Sequence, residues 1–163
     1  MELKRHLDPK KIFIGLYMLA LTAYVIIGLQ PAEAVHYDVS GQLNIPSIGL
    51  ASDVTTLTLS DHKLDTPDTI VGAYSQAARK TLLIGHSTTV FTELDQVKLN
   101  ADINYSGQAY RVIALDMVRK SDVDMQQVLS AAEQDTLIIM TCAGQLIGGG
   151  DSTHRLMVTA IAE

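Results

Sequence analysis

Asp135-Thr-Leu-Ile-Ile-Met-Thr-Cys142 is a run of apolar and β-branched residues of the kind that fill a buried strand, and it ends on a threonine and the only cysteine of the chain. Behind it comes Ala143-Gly-Gln-Leu-Ile-Gly-Gly-Gly-Asp-Ser-Thr-His154-Arg155, a glycine-rich loop that returns into a second apolar strand beginning with Arg155. The two strands, Thr136–Thr141 and Arg155–Ala162, bracket that loop. A lone thiol therefore stands at the end of one strand beside a cation at the start of the next. Thiolate is the reactive form of cysteine and a nearby positive charge favours it, which makes Cys142 a candidate nucleophile.

Upstream, Ser121-Asp-Val-Asp124 has the capping-box spacing of a hydroxyl with an acid three residues on, and helix-forming residues continue to about Ala132. Asp102–Ser106 and Ala109–Val118 flank Ser106-Gly107, a turn signal that predicts two adjoining antiparallel strands. Thr81–His86 is a short apolar strand closed by Gly85 and His86, after which Phe91 and Leu94 supply apolar contacts from a loop or helical turn. The segment Ser60–Lys80 holds Pro67, several acids and Gly72, and reads as loop with a helical turn near Gln76–Arg79. Val54–Leu59 is β-branched and reads as a strand; Gly41–Ile48 reads as another, kept at an edge or bulge by Pro46. Seven or eight short strands with one or two short helices predict a mainly β domain, an antiparallel or mixed barrel, and not alternating βαβ units.

The N-terminus is of a different kind. Lys4, Arg5, Lys10 and Lys11 precede Ile12–Leu29, 18 residues without a charge, close to the roughly 20 that cross a bilayer core as a helix. The expected layout is a cytoplasmic basic tail (1–11), a transmembrane anchor (12–29), a stalk (30–40) and an extracellular domain (41–163), oriented by the basic flank. A signal peptide cleaved at Ala32-Glu33-Ala34 is the competing reading, but the apolar run is longer than such segments usually carry. From Gln30 onward there are eight Lys or Arg against sixteen Asp or Glu, and no basic face suited to nucleic acid. One cysteine allows no internal disulfide, so the domain rests on its apolar core.

His86, Cys142 and Arg155 each fall at the end of an expected strand, where a rigid sheet can hold a reactive group. Taken singly each has an ordinary reading: a buried small hydrophobe, a hydrogen-bonded structural histidine, a surface cation. Their combination is rarer than any member. His154 competes for the imidazole role, yet neighbouring residues on a strand face opposite sides, so an Arg155 turned into a cleft turns His154 away. The same alternation disfavours a zinc set of His86, Cys142 and His154. Asp102 and Asp116 are the acids considered as a third partner for His86, with nothing in the sequence to place either beside it. Glu93, Asp122 and Asp124 are scattered acids that specify no calcium site.

These residues carry a family resemblance. Leu83-Ile-Gly-His86-Ser, followed by Phe91 and Leu94, resembles the sortase histidine segment; Ile138-Ile-Met-Thr-Cys142 is similar to the sortase TLxTC signature, with Ile138-Ile139 in place of Thr-Leu; Arg155, on the following strand, matches the sortase arginine. Asn44-Ile-Pro-Ser-Ile48 resembles the family's opening strand, while Asn100-Ala101-Asp102 stands where Gly-Asp is usual. The likeness spans most of Gly41–Ala162. It implies a closed eight-stranded sortase-type β-barrel and a membrane-anchored cysteine transpeptidase requiring no cofactor, with calcium modulation and subclass left open. The implied substrates are surface proteins bearing a C-terminal LPxTG-like sorting signal, cut between Thr and Gly and passed to an amine acceptor of the cell wall or a pilin. Implied roles are nucleophile for Cys142, proton donor and acceptor for His86, substrate and oxyanion binding for Arg155, and pocket shaping for Thr141, more by backbone than by hydroxyl. The alternatives are hydrolysis of the same intermediate, and an idle domain of this fold that binds peptides or wall proteins.

Overall fold

The computed structural model describes residues 35–61, 63–148 and 151–163. The expected tail 1–11, the anchor 12–29 and the start of the stalk lie outside the described residues. Among the described residues no helix is long and apolar enough to cross a membrane.

Among the described residues ten strands and a short helix follow in order: β1 (Val39–Ile45), β2 (Leu50–Thr56), β3 (Leu59–Ser60), β4 (Lys63–Leu64), β5 (Val71–Tyr74), β6 (Lys80–Ile84), β7 (Asp102–Tyr105), β8 (Gln108–Arg119), α1 (Met125–Leu129), β9 (Thr136–Ile147) and β10 (Asp151–Ala162). Eight of them close a barrel in the order β1-β2-β5-β6-β9-β10-β8-β7, while β3 and β4 form a separate hairpin. The β2–β5 and β6–β9 pairings are parallel and the others antiparallel, so the barrel is mixed.

Several local expectations are corrected. β1 starts at Val39, and Pro46 opens a 3-10 turn, Pro46–Ile48, instead of interrupting a strand. A proline suits the first position of a helical turn because its missing N–H would have no partner there. The acid-rich segment read as loop contains β5, whose identity comes from pairing with β2 and β6 and not from its own four residues. No helical turn forms near Gln76; Arg79 instead adopts a left-handed backbone, and its guanidinium meets Asp135 and the Glu133 carbonyl. The cap of α1 is Asp124, whose carboxylate accepts from the Gln126 and Gln127 amides, while Ser121 belongs to a preceding 3-10 turn and the helix stops at Leu129, not Ala132. The loop between the last two strands is shorter than its glycines suggested: β9 and β10 stay paired out to Ile147 and Asp151, with a bulge between Ser152 and His154.

Strand side chains alternate between faces, and here both faces are covered. On the inside, Leu83, Leu137, Ile139, Val158 and their partners from other strands fill the barrel around Phe91, Leu94 and Ile103. On the outside, Leu82 and Ile84 of β6 and Ile138 of β9 are buried with Val128 of α1, and Met140, Met157, Leu64 and Leu129 pack against them. The outer cluster explains why β6 and β9 read as continuous apolar runs and not as alternating ones. It also puts a second apolar layer directly below the candidate site.

Candidate active site

Parity and register bring the three candidates together. On β6 the outward residues are Leu82 and Ile84, and the next position of that parity, just past the strand's end, is His86. On β9 they are Ile138 and Met140, and the next is Cys142. The parallel pairing aligns Ile84 with Met140, so two residues further on His86 and Cys142 reach the same level of neighbouring strands. On the other side of β9, Arg155 lies directly opposite Cys142 in the antiparallel pairing, where side chains of such a pair share a face. His86, Cys142 and Arg155 line one cavity of about 380 Å³ together with Leu59, Leu64, Leu82, Ile84, Met125, Leu129 and Met140. The expectation that all three stand at strand ends is corrected: β9 runs five residues beyond Cys142 and β10 begins four before Arg155, so only His86 lies past a strand end. The site lies on the outer wall of the barrel, floored by the second apolar cluster.

The segment before His86 is shaped by a close approach. A Cβ at Gly85 would lie 2.5 Å from Val90 Cγ1 and 2.8 Å from Phe91 Cε2, so glycine lets the Phe91 ring seat against the backbone. The His86 carbonyl accepts from the amides of Thr89 and Phe91 at 3.3 and 3.0 Å, closing the turn that carries the imidazole. Thr141 ties this turn to the cysteine strand: its buried hydroxyl donates to the Gly85 carbonyl at 2.7 Å. The Thr141 hydroxyl is thus engaged within the protein, and Thr141 also lines the cavity. The bond joins the residue before the thiol to the residue before the imidazole.

His86 is partly exposed, and Asp68 Oδ1 lies 3.9 Å from its Nε2. The Asp68 loop is tied down by Thr89, which donates to the Asp68 carbonyl at 2.7 Å, and by the Tyr37 hydroxyl, which accepts from the Asp68 amide at 3.2 Å. Asp68 is a neighbour the sequence did not single out. Of the two acids that were considered, Asp102 is paired with Arg111 at 2.9 Å, and Asp116 lines a separate depression with Asp122 and Asp124. His154 bonds Thr153 and lines a different cavity with Met117 and Gly144, as strand alternation requires. Among the described residues no group of His, Cys, Asp or Glu could hold a metal ion.

Arg155 is mostly buried, its side chain 15% exposed. Its Nη1 donates to the Ser152 and His154 carbonyls at 3.1 and 2.9 Å, and its Nη2 to Asp151 Oδ1 at 2.8 Å. Hydrogen bonds from Lys120 and Arg155 hold the Asp151 carboxyl well below the usual carboxylate range. Cys142 is a free thiol, half-buried beside this cation. A thiol, an imidazole and a guanidinium at one level of three adjacent strands are a set able to attack a carbonyl, move a proton and hold a developing oxyanion.

Comparison with known proteins places the fold in a family. The model of the Sortase domain matches residues 43–163. Among solved structures, a lid mutant of sortase A from Corynebacterium diphtheriae superposes with a TM-score of 0.61 at 21% identity, covering 80% of this chain and 73% of the other. Sortase C-1 from Actinomyces oris gives 0.58 at 24% over 77% and 72%. A Clostridium perfringens sortase D5 transpeptidase gives 0.61 at 19% over 80% and 83%. Among curated proteins none matches the sequence significantly. With the family model covering most of its length, this chain belongs to the sortase family, cysteine transpeptidases in general. The structural relatives come from sortase classes A, C and D and do not single out a subclass.

Proposed function

We propose that the chain is a membrane-anchored transpeptidase that cuts an LPxTG-like sorting signal between Thr and Gly and passes the surface protein to an amine. The observation that carries this reading is the convergence of His86, Cys142 and Arg155 on one apolar cavity in a sortase-family chain. Cys142 Sγ attacks the Thr carbonyl carbon, and the tetrahedral oxyanion forms within reach of the Arg155 guanidinium. As the C–N bond breaks, His86 gives its proton to the departing glycine amine, and a thioester remains on Cys142. An acceptor amine, on a cell-wall precursor or a pilin lysine, then attacks the thioester carbonyl. His86 takes up the amine's proton, and Cys142 leaves as thiolate. All bond changes use protein and substrate groups, so no cofactor is required.

The apolar lining by Leu59, Leu64, Met125, Leu129 and Met140 supports a ligand with aliphatic side chains, as the Leu-Pro of such a signal would offer. Ile12–Leu29 would anchor the chain with its N-terminus in the cytoplasm and the barrel outside. The test is to incubate the full-length protein with a quenched sorting peptide and a free amine and to mass-analyse the products. The expected product is the peptide's Thr joined to the amine. Peptide acid alone would make the protein a hydrolase, and bound but uncut peptide would make it a binding domain.

A further inference from the structure

We infer that Asp151 is a positioning residue that holds the Arg155 guanidinium in place at the cavity; the inference rests on the transpeptidase reading for its kinetic consequence but not for its geometry. Arginine has five N–H donors in one plane. Two of its three nitrogens are engaged on the protein: Nη1 by the carbonyls of Ser152 and His154, and Nη2 by Asp151 Oδ1. Among the described residues the Nε–H and the second Nη2–H have no acceptor, and these two donors lie on adjoining nitrogens. These remaining donors are the part of the guanidinium fork left for a substrate carbonyl or oxyanion.

The two carbonyls alone would leave this fork weakly set, because both bonds converge on the single nitrogen Nη1. Asp151 grips the other nitrogen and so fixes the rotation of the plane. The carboxylate is itself anchored. Oδ1 also accepts from the Ser152 amide at 2.8 Å, and Oδ2 meets the Lys120 ammonium, which reaches across from the end of β8. Asp151 also opens β10, and its pairing with Ile147 ties it to β9. The Ser152 amide, a lysine and the arginine thus converge on one carboxylate four residues before Arg155, and its charge offsets that of a guanidinium mostly removed from water.

The test compares Asp151→Asn and Asp151→Glu in the full-length protein by two readouts. The first is the ¹⁵N NMR signal of the Arg155 guanidinium, assigned by its loss in Arg155→Lys. Separate, slowly exchanging Nη signals are expected in the unmodified chain and in Asp151→Glu, and averaged ones in Asp151→Asn. The second is turnover of a sorting peptide. Asp151→Asn is expected to lower kcat about 10- to 100-fold, the scale of a misplaced catalytic contact, with KM changed less than about threefold and most of kcat recovered in Asp151→Glu. Unchanged Arg155 signals in Asp151→Asn, or a kcat within about twofold of the unmodified chain, would overturn the assignment. Failure of the unmodified chain to cleave any sorting peptide would count against the transpeptidase reading instead, and the NMR comparison alone would then decide the role of Asp151.

Discussion

The inner and outer faces of β6 and β9 are both apolar and both buried, yet they serve different ends. Inward, Leu83, Leu137 and Ile139 are sealed inside a barrel core built from all its strands. Outward, Leu82, Ile84, Ile138 and Met140 meet only α1, the β3–β4 hairpin region and a few neighbours, and that layer opens at one end into the cavity holding His86, Cys142 and Arg155. One residue of displacement along a strand moves a side chain from stability to chemistry. Thr141 and Cys142 are the clearest case: both border the cavity, but the Thr141 hydroxyl is buried in a bond to the Gly85 carbonyl while the Cys142 thiol is free.

The strongest way to separate the faces is at that pair. Cys142→Ala is expected to lower turnover of a sorting peptide by about 1,000-fold or more while leaving the thermal midpoint nearly unchanged, as measured on the same preparation. A loss of folding would place Cys142 with the inner face. In the unmodified chain kcat/KM is expected to follow a bell-shaped pH curve, as a step that needs one group deprotonated and another protonated does. A flat profile between about pH 5 and 10 would contradict the shared Cys142–His86 role.

Ile139→Ala is expected to cost about 2–5 kcal/mol in urea unfolding, since it opens a void among fully buried side chains. Met140→Ala, one residue on, is expected to cost about 1 kcal/mol and to weaken substrate binding instead. Equal costs would erase the distinction between the faces. Thr141→Val removes the bond to the buried Gly85 carbonyl and is expected to cost about 1–2 kcal/mol. It should also slow turnover, with Thr141→Ser close to the parent in both measurements.

Much of this was legible along the chain, and what was not has a common cause. The apolar run before Cys142, the Ser106-Gly107 hairpin and the motif carrying His86 declare themselves through neighbours in sequence. The eight-stranded closure and the roles of the site residues followed from the sortase likeness, and alternation alone turned His154 away. The features that escaped depend on distant partners. β5 is a strand because β2 and β6 flank it, and Asp68 meets His86 only through loops stitched by Thr89 and Tyr37. Asp151 looked like the end of a glycine loop, and its role depends on Lys120, 31 residues upstream. The cap of α1 was misplaced because Ser121 and Asp124 both suit the position, and the choice was settled by where the chain turns after β8.

The smallest expected effect concerns acid. The Asp151 carboxyl is held below the usual range by Lys120 and Arg155, so its stabilising contribution is full above the unfolded value of about 3.9 and is lost as pH falls further toward the folded value. Asp151→Asn should therefore differ from the parent in thermal midpoint at neutral pH and converge with it in strong acid. A difference that widens below about pH 4 would reverse the sign of that contact.

The most direct single measurement is the intact mass of the full-length protein, quenched during turnover of a sorting peptide and then mapped by digestion. A mass increase equal to the peptide's acyl portion is predicted, on Cys142 and absent from Cys142→Ala. An unmodified Cys142 during turnover, or an acyl group on any other residue, would contradict the convergence of thiol, imidazole and guanidinium as the working site.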